Sequence, residues 1–328
     1  MKTIQFQGRT LSAIALGTTA FGKRYSAEQA AEAIEYVRSR GVNVIDTARV
    51  YGFDAPGGGF GYSESMIGQY LAGRSDRDQL FLVTKGAHPP MEDRAFNRLT
   101  EKDLRFDLEE SLKNLQTDYV DLYFLHRDNP QMDMAEVMET LHDFVKKGYV
   151  RAIGASNWRF GRIMEANAYA AEHGLTPFTA SQIEWSMAKY DESDNPGDKT
   201  QYAMLPEEIP LYRESGLLVM CYTSQASGLF SKIMAAGATA AEGYDVLKAK
   251  GGLMKYKNPD NRRRAIAVEQ LCAKYGVSPA AIGVAYLTGM GSSIMPILGS
   301  SRIGQLEDSL SAPDLQLTEE DYRLIEGC

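Results

Sequence analysis

Short runs of β-branched and apolar residues recur along the chain, and between them apolar positions fall at three-and-four spacing. The first kind reads as buried strand, the second as amphipathic helix. Thr3 to Gly17 alternates loosely around Gly8-Arg9, which predicts a short hairpin and then a first buried strand, Leu11 to Leu16, closed by Gly17, Thr18 and Thr19. Ser26 and Gln29 have capping-box spacing and start a helix, Ala27 to Arg40, that stops at Gly41. Val42, Val44 and Ile45 form the next strand, which ends in Asp46. Further strands are predicted at Leu80 to Lys85, Val120 to Leu125, Val150 to Ala155, Phe178 to Trp185, Leu217 to Tyr222 and Ile294 to Leu298. Helices are predicted between them at Ser63 to Leu71, Thr100 to Leu115, Met134 to Lys147, Phe160 to His173, Pro206 to Ser215, Asn261 to Tyr275, Pro279 to Gly289 and Ile303 to Leu310.

Three stretches break the alternation. Phe53 to Gly61 is a glycine-rich insert. Lys189 to Gln201 is a polar loop containing Asp191, Glu192, Asp194, Asn195, Pro196 and Gly197, long enough to wall or cover a site. Ser224 to Pro259 is a long excursion with several glycines. Strict alternation predicts a parallel sheet, and eight strands favour closure into a (β/α)8 barrel, the TIM-barrel architecture, with an N-terminal β-hairpin. Nothing marks a linker, so residues 1–328 are expected to form one domain. The cluster Gly57 to Gly61 lacks the spacing and setting of a dinucleotide-binding G-x-G-x-x-G turn.

Composition narrows the function. A formal charge of -8 argues against nucleic acid or an anionic membrane as main partner. No apolar run reaches the roughly 18 residues of a membrane span. Gln5, Gln7 and Arg9 interrupt any apolar core near the start, so no signal peptide is read. Cys221, Cys272 and Cys328 are too few and too scattered for a disulfide framework or a zinc site. A reduced, cytoplasmic protein is the expectation. No coiled coil or sticky patch indicates an oligomeric state.

The chemistry lies at the strand ends. Asp46 ends one strand, and an acid there is costly to bury unless paired. Tyr51 follows in the next loop, Lys85 ends the next strand, and His126 follows Leu125. In a parallel barrel these four groups converge at one mouth. A tyrosine, with a reference pKa of about 10, is a poor acid; a nearby Lys85 ammonium would favour the phenolate, with Asp46 holding the ammonium charged. His126 would orient a substrate oxygen or share its proton. The set suits protonation of an oxygen as a carbonyl is reduced, or the reverse. No serine or cysteine nucleophile is evident, and His88, His142 and His173 make no metal-ligand spacing with His126. Taken singly, each of the four has a bland reading: a cap, a turn, a solvated lysine, a core histidine. His88, just before Pro89-Pro90, reads as a surface loop residue, and Arg262-Arg263-Arg264 as a solvated helix start.

From Leu16 to about Leu310 the sequence resembles the aldo-keto reductase superfamily. The likeness rests on D-T-A-x-x-Y-G at Asp46 to Gly52, Thr84-Lys85, D-L-Y-F-L-H at Asp121 to His126, G-A-S-N at Gly154 to Asn157, and Gln182. It implies a (β/α)8 barrel that binds NADPH, with NADH possible, and transfers hydride to a small-molecule aldehyde or ketone. It implies Tyr51 as general acid, Lys85 and Asp46 as its tuning pair, and His126 as the residue orienting the carbonyl. Ser156, Asn157 and Gln182 resemble the trio that bonds the nicotinamide carboxamide, and Tyr222 the ring beneath it. Ser224, Gly228, Leu229 and Lys232 resemble the loop over the pyrophosphate. Gly299, Ser300, Ser301 and Arg302, with Gln305, resemble the segment taking the 2′-phosphate, and Asp308 the acid facing adenine. Gly17, Thr18 and Thr19 are counted among the cofactor contacts.

Three features depart from the family pattern. Thr223-Ser224-Gln225 stands where many members have Ser-Pro-Leu. Asp308 is followed by Ser309 rather than asparagine, which removes an amide near the adenine. The insert after Tyr51 is longer than in most relatives. Phe53, Trp158 and Trp185 are the candidate walls of a substrate pocket. Two other functions are weighed: a nicotinamide-binding regulatory or sensor subunit of the potassium-channel β-subunit kind, and a lyase forming a Schiff base on Lys85.

Overall fold

Every residue of the strands Phe81–Gly86 and Val120–Leu125 is buried, which a sheet permits only when both of its faces are covered. In the computed structural model, which describes residues 1–93, 96–190, 198, 200–248 and 250–327, that cover comes from barrel closure inside and helices outside. The strands are β1 (Thr3–Phe6), β2 (Arg9–Ser12), β3 (Ala15–Gly17), β4 (Val44–Asp46), β5 (Phe81–Gly86), β6 (Val120–Leu125), β7 (Val150–Ser156), β8 (Ala180–Glu184), β9 (Leu218–Tyr222) and β10 (Ile294–Leu298). The last eight close a barrel in the order β10-β3-β4-β5-β6-β7-β8-β9, each pair parallel.

The hairpin β1–β2 turns at Gln7 and Gly8, whose φ angles of 48° and 73° suit a two-residue primed turn. Its Ile4, Phe6 and Leu11 pack with the barrel-interior residues Val44, Phe81 and Leu122. The Phe6 and Phe81 rings meet edge-on at 5.9 Å. The hairpin therefore closes the barrel end where the strands begin. This corrects the expected first strand: Leu11 belongs to the hairpin, and the barrel strand is only Ala15–Gly17.

The helices run α1 (Ala27–Ser39), α2 (Tyr62–Leu71), α3 (Glu101–Leu115), α4 (Met134–Lys146), α5 (Phe160–His173), α6 (Glu208–Ser215), α7 (Leu229–Ala236), α8 (Ala240–Val246), α9 (Pro259–Tyr275), α10 (Pro279–Thr288), α11 (Ile303–Ser309) and α12 (Glu319–Glu326). Their apolar stripes form the outer core layer, with Ile34, Leu104, Leu141 and Val268 all buried. The capping box at Ser26 and Gln29 starts α1 as expected. The helices α7 and α8 stand within what reads as an irregular excursion, and α12 was not anticipated. Helices of eight residues or fewer carry about two turns of periodicity, too little to distinguish from a loop. No helix among the described residues is long and apolar enough to cross a membrane.

Candidate active site

Asp46 is the last residue of β4, Lys85 the fifth of six in β5, and His126 follows the last residue of β6. Parallel pairing puts all three at the same barrel mouth. The Lys85 side chain is fully buried. Its Nζ donates to Asp46 Oδ1 at 2.9 Å, Asp46 Oδ2 at 2.8 Å and the Thr47 carbonyl at 2.7 Å, and lies 3.4 Å from Tyr51 Oη. Burial alone would lower the Lys85 pKa, but Asp46 and then Tyr51 outweigh it, and the net shift is upward. The amine is an ammonium. Burial pushes the Tyr51 phenol above its ordinary 10, and Lys85 is the largest influence opposing that rise. The ammonium favours the phenolate, as expected, but desolvation outweighs it, so Tyr51 rests as a neutral phenol.

Tyr51 is held by its loop. Its N–H bonds the Ala48 carbonyl at 2.9 Å, and its carbonyl accepts from Ser63 N–H at 3.2 Å. Gly52 has φ +90°, and a Cβ there would lie 2.7 Å from that of Tyr62, so the turn after the phenol needs glycine. The Tyr51 and His126 rings meet edge-on at 5.9 Å.

His88 is a correction. It lines the cavity, and its ring meets that of His126 edge-on at 4.8 Å. Two features turn it inward. Any Cβ on Gly86 would lie 1.9 Å from Tyr123 Oη. Ala87 takes φ +60°, a left-handed conformation unfavourable for alanine, while its N–H donates to Asp107 Oδ2 at 2.8 Å.

The cavity, of about 1010 Å³, runs from Asp46, Tyr51 and His126 to Arg302 and Asp308. At its inner end Ser156, Asn157, Gln182 and Tyr222 all reach the wall. Most of their polar atoms are already engaged. Gln182 Nε2 donates to Asp46 Oδ1 at 2.8 Å. The Asn157 amide is saturated: its Nδ2 donates to the His126 carbonyl and to Ser156 Oγ, both at 3.1 Å, while its Oδ1 accepts from Tyr222 Oη at 2.7 Å and Tyr202 N–H at 3.2 Å. Asn157 therefore fixes Tyr222 and the His126 backbone, and its own φ of +59° is one asparagine tolerates.

The middle of the cavity is a loop of unusual backbone. Thr223, Ala226, Ser227 and Gly228 have φ of 50°, 48°, 55° and 74°. The Ala226 and Gly228 N–H groups are taken inside the loop, by the Thr223 and Gln225 carbonyls, both at 2.8 Å. Ser224 anchors the loop through a 2.6 Å bond from its hydroxyl to the Ile297 carbonyl, and Lys232 Nζ donates to the Ser227 carbonyl at 2.8 Å. At the outer end Gly299, Ser300, Ser301, Arg302, Gln305 and Asp308 line the wall. Gln305 Oε1 accepts from Ser301 N–H at 2.8 Å, and Ser300 Oγ lies 2.9 Å from Tyr25 Oη.

Of the strand-closing residues, Gly17 and Thr19 line the cavity, but Thr18 is buried and its hydroxyl holds the Asp46 carbonyl at 3.0 Å. Leu229 packs into the core at the start of α7. Phe53 lines the cavity, whereas Trp158 and Trp185 do not. Trp158 is fully buried against Phe178 in the layer between barrel and helices, and Trp185 lies in the same core. Asn157, with its φ of 59°, interrupts the strand's alternation, so Trp158, two residues after the cavity-lining Ser156, falls in the core outside the barrel. Of the polar loop, Asp191, Glu192, Asp194, Asn195, Pro196 and Gly197 lie outside the described residues, as does Cys328.

Four charged residues of the mouth were missed. Glu184 ends β8 and accepts from Lys255 Nζ at 2.7 and 2.8 Å and from Tyr256 Oη and Tyr190 Oη, both at 2.8 Å. Arg127 donates to Asp198 Oδ2 at 3.1 Å and Thr200 Oγ1 at 2.9 Å. Glu184, Lys255, Arg127 and Asp198 all line the cavity. The strand-end rule that found Asp46 applies equally to Glu184.

Comparison with known proteins accords with this geometry. A family model described as the aldo/keto reductase family matches residues 13–328. The chain is 27% identical over 337 residues to aldo-keto reductase ausK of Aspergillus calidoustus, covering 98% of this chain and 79% of that one. It is 28% identical over 332 residues to norsolorinic acid reductase stcV of Emericella nidulans, covering 97% and 78%. Among solved structures, an aldo/keto reductase from Klebsiella pneumoniae in complex with NADP and acetate has the same fold, with TM-score 0.72, 21% identity, and coverage of 99% of this chain and 94% of that one.

Proposed function

The chain belongs to the aldo/keto reductase family, and from that premise we propose that it reduces an aldehyde or ketone with NADPH, Tyr51 giving the proton. The observation that carries this reading is the Lys85 ammonium held by both Asp46 oxygens and lying 3.4 Å from the Tyr51 phenol. The residues suit an extended nicotinamide dinucleotide. The cavity is long, the loop at 223–228 lines its middle, and Arg302 adds positive charge at its far end. That charge supports NADPH over NADH, since it suits a 2′-phosphate.

When bound, the reduced nicotinamide supplies a hydride to the carbonyl carbon. The chain's own residues do the rest. Tyr51 Oη gives its proton to the carbonyl oxygen as charge builds there, and the phenolate left behind is stabilised by the Lys85 ammonium. Solvent then restores the phenol. Asp46 keeps Lys85 charged, and Gln182 fixes Asp46. His126 orients the carbonyl oxygen beside Tyr51. Arg127, Glu184, Lys255 and Asp198 give the mouth polar walls, which favours a hydroxylated carbonyl substrate. The Lys85 ammonium, paired twice with Asp46, is a poor nucleophile, which weighs against a Schiff-base lyase.

The test is a fluorescence titration with NADPH and NADH, then NADPH oxidation against a panel of aldehydes, ketones and sugars. Tighter NADPH binding with turnover supports the reading. Tight binding with no turnover on any carbonyl would overturn it in favour of a regulatory subunit.

A further inference from the structure

We infer that Tyr25 is a positioning residue for the discrimination of NADPH from NADH: it sets the Ser300 hydroxyl to donate to the 2′-phosphate. The inference rests on the NADPH reading above. Tyr25 is 5% exposed and does not line the cavity, whereas Ser300 does. Tyr25 therefore acts through Ser300 rather than by touching the cofactor.

Barrel closure makes the pair, whose members are 275 positions apart. The first and last barrel strands, β3 and β10, run parallel with Ala15 opposite Ile297 and Leu16 opposite Leu298. Their exits lie side by side. The connection from β3 to α1, which carries Tyr25, thus meets the connection from β10 to α11, which carries Ser300. The Tyr25 side is held in place. Its carbonyl accepts from Gly22 N–H at 3.0 Å, and its ring meets that of the buried Phe21 edge-on at 5.5 Å. Ser26, the next residue, caps α1.

Hydrogen-bond chemistry sets the direction. Tyr25 Oη and Ser300 Oγ are 2.9 Å apart. Each hydroxyl has one hydrogen, so one donates and the other accepts. A phenol oxygen shares its lone pair with the ring, which makes it the better donor and the poorer acceptor. Burial raises the Tyr25 phenol above its ordinary 10, against the bond to Ser300, so the phenol keeps its hydrogen. Ser300 accepts from Tyr25, and its own hydrogen is left for an acceptor in the cavity. Ser301 beside it gives both its N–H and its hydroxyl to Gln305 Oε1, at 2.8 and 3.1 Å. Ser300 is thus the hydroxyl donor of this segment, next to the charge of Arg302. A phosphate oxygen makes a charge-assisted bond with such a donor, whereas the 2′-hydroxyl of NADH makes an ordinary one.

The test is a fluorescence titration of the full chain with NADPH and with NADH, in the wild type, Tyr25→Phe, Ser300→Ala and the double variant. Phenylalanine keeps the ring against Phe21 and removes only the hydroxyl. The expected result is NADPH binding weakened about fivefold in Tyr25→Phe, the scale of one net hydrogen bond, with NADH binding unchanged. The double variant should bind NADPH no more weakly than Ser300→Ala, because the two residues act as one. Equal losses for both dinucleotides, an unchanged NADPH affinity, or additive losses in the double variant would overturn the positioning role and leave the reductase reading standing. A wild type that binds NADH as tightly as NADPH would overturn the NADPH reading and the role of Tyr25 together.

Discussion

The Gln225 amide donates to the Ser309 hydroxyl at 2.9 Å, and to the Ala280 carbonyl at 3.3 Å. These are two of the positions at which the sequence departs from its family's pattern, and the fold makes them partners at the cavity wall. Gln225 ties the loop at 223–228 to α11. Gln225→Ala frees that link, and a typical net hydrogen-bond contribution of about 1 kcal/mol predicts NADPH binding weakened about fivefold. The rate of the chemical step should change little. Fluorescence titration and kcat with saturating NADPH check both parts.

Asp46 accepts two bonds from Lys85 and one from Gln182, with all three side chains buried. Asp46→Asn leaves the ammonium without its counter-charge. Breaking a buried pair in this way costs about 3–5 kcal/mol. The urea midpoint should fall by a corresponding amount, and reduction should slow as well. An unchanged midpoint would mean that the pair adds nothing to the fold.

The Tyr51 phenol is held above its ordinary pKa by burial, against the pull of Lys85. Its acid form therefore persists past neutrality. Carbonyl reduction should stay level from about pH 6 to 9 and fall only above about pH 10. Alcohol oxidation, which needs the phenolate, should climb over the same range. A pH–rate profile in both directions is the check.

Asp128 sits near the mouth with Oδ1 buried and 3.8 Å from Arg162 Nε, without a hydrogen bond. Burial, with Arg162 opposing, raises its pKa to about 6. A raised folded-state value means a stabilising contribution present below the unfolded pKa, near 4, and lost as pH rises through 6. Ionised Asp128 thus costs about 3 kcal/mol above that window. Asp128→Asn should raise stability at pH 7.5 and flatten its fall between about pH 4 and 6. Denaturant unfolding at pH 4.5 and 7.5 compares the two proteins.

Much of this was legible in the residues. Eight buried runs at regular spacing dictated the barrel, and polar residues at strand ends marked Asp46, Lys85 and His126. What stayed hidden depended on three-dimensional placement. His88 looks like a loop residue until the left-handed Ala87 and the crowded Gly86 turn it toward His126. Trp158 looks like a pocket wall, yet the chain leaving β7 buries it behind the barrel. Asn157 and Gln182 carry the expected residue types, but the Asn157 amide is engaged by Tyr222 and the His126 carbonyl, and Gln182 Nε2 donates to Asp46. Hydrogen-bond partners more than twenty residues away cannot be read from local pattern. The clasp of Lys255 on Glu184 spans 71 positions for the same reason.

The most direct test of the proton-donor assignment is Tyr51→Phe, followed by NADPH fluorescence and single-turnover NADPH oxidation on the same sample. The substitution removes one hydroxyl 3.4 Å from Lys85 and nothing else from the cavity wall. NADPH binding close to that of the wild type, with oxidation in the presence of a carbonyl substrate abolished, is the predicted result. Near-normal oxidation by the variant would contradict Tyr51 as the acid and the reading of the mouth built on it.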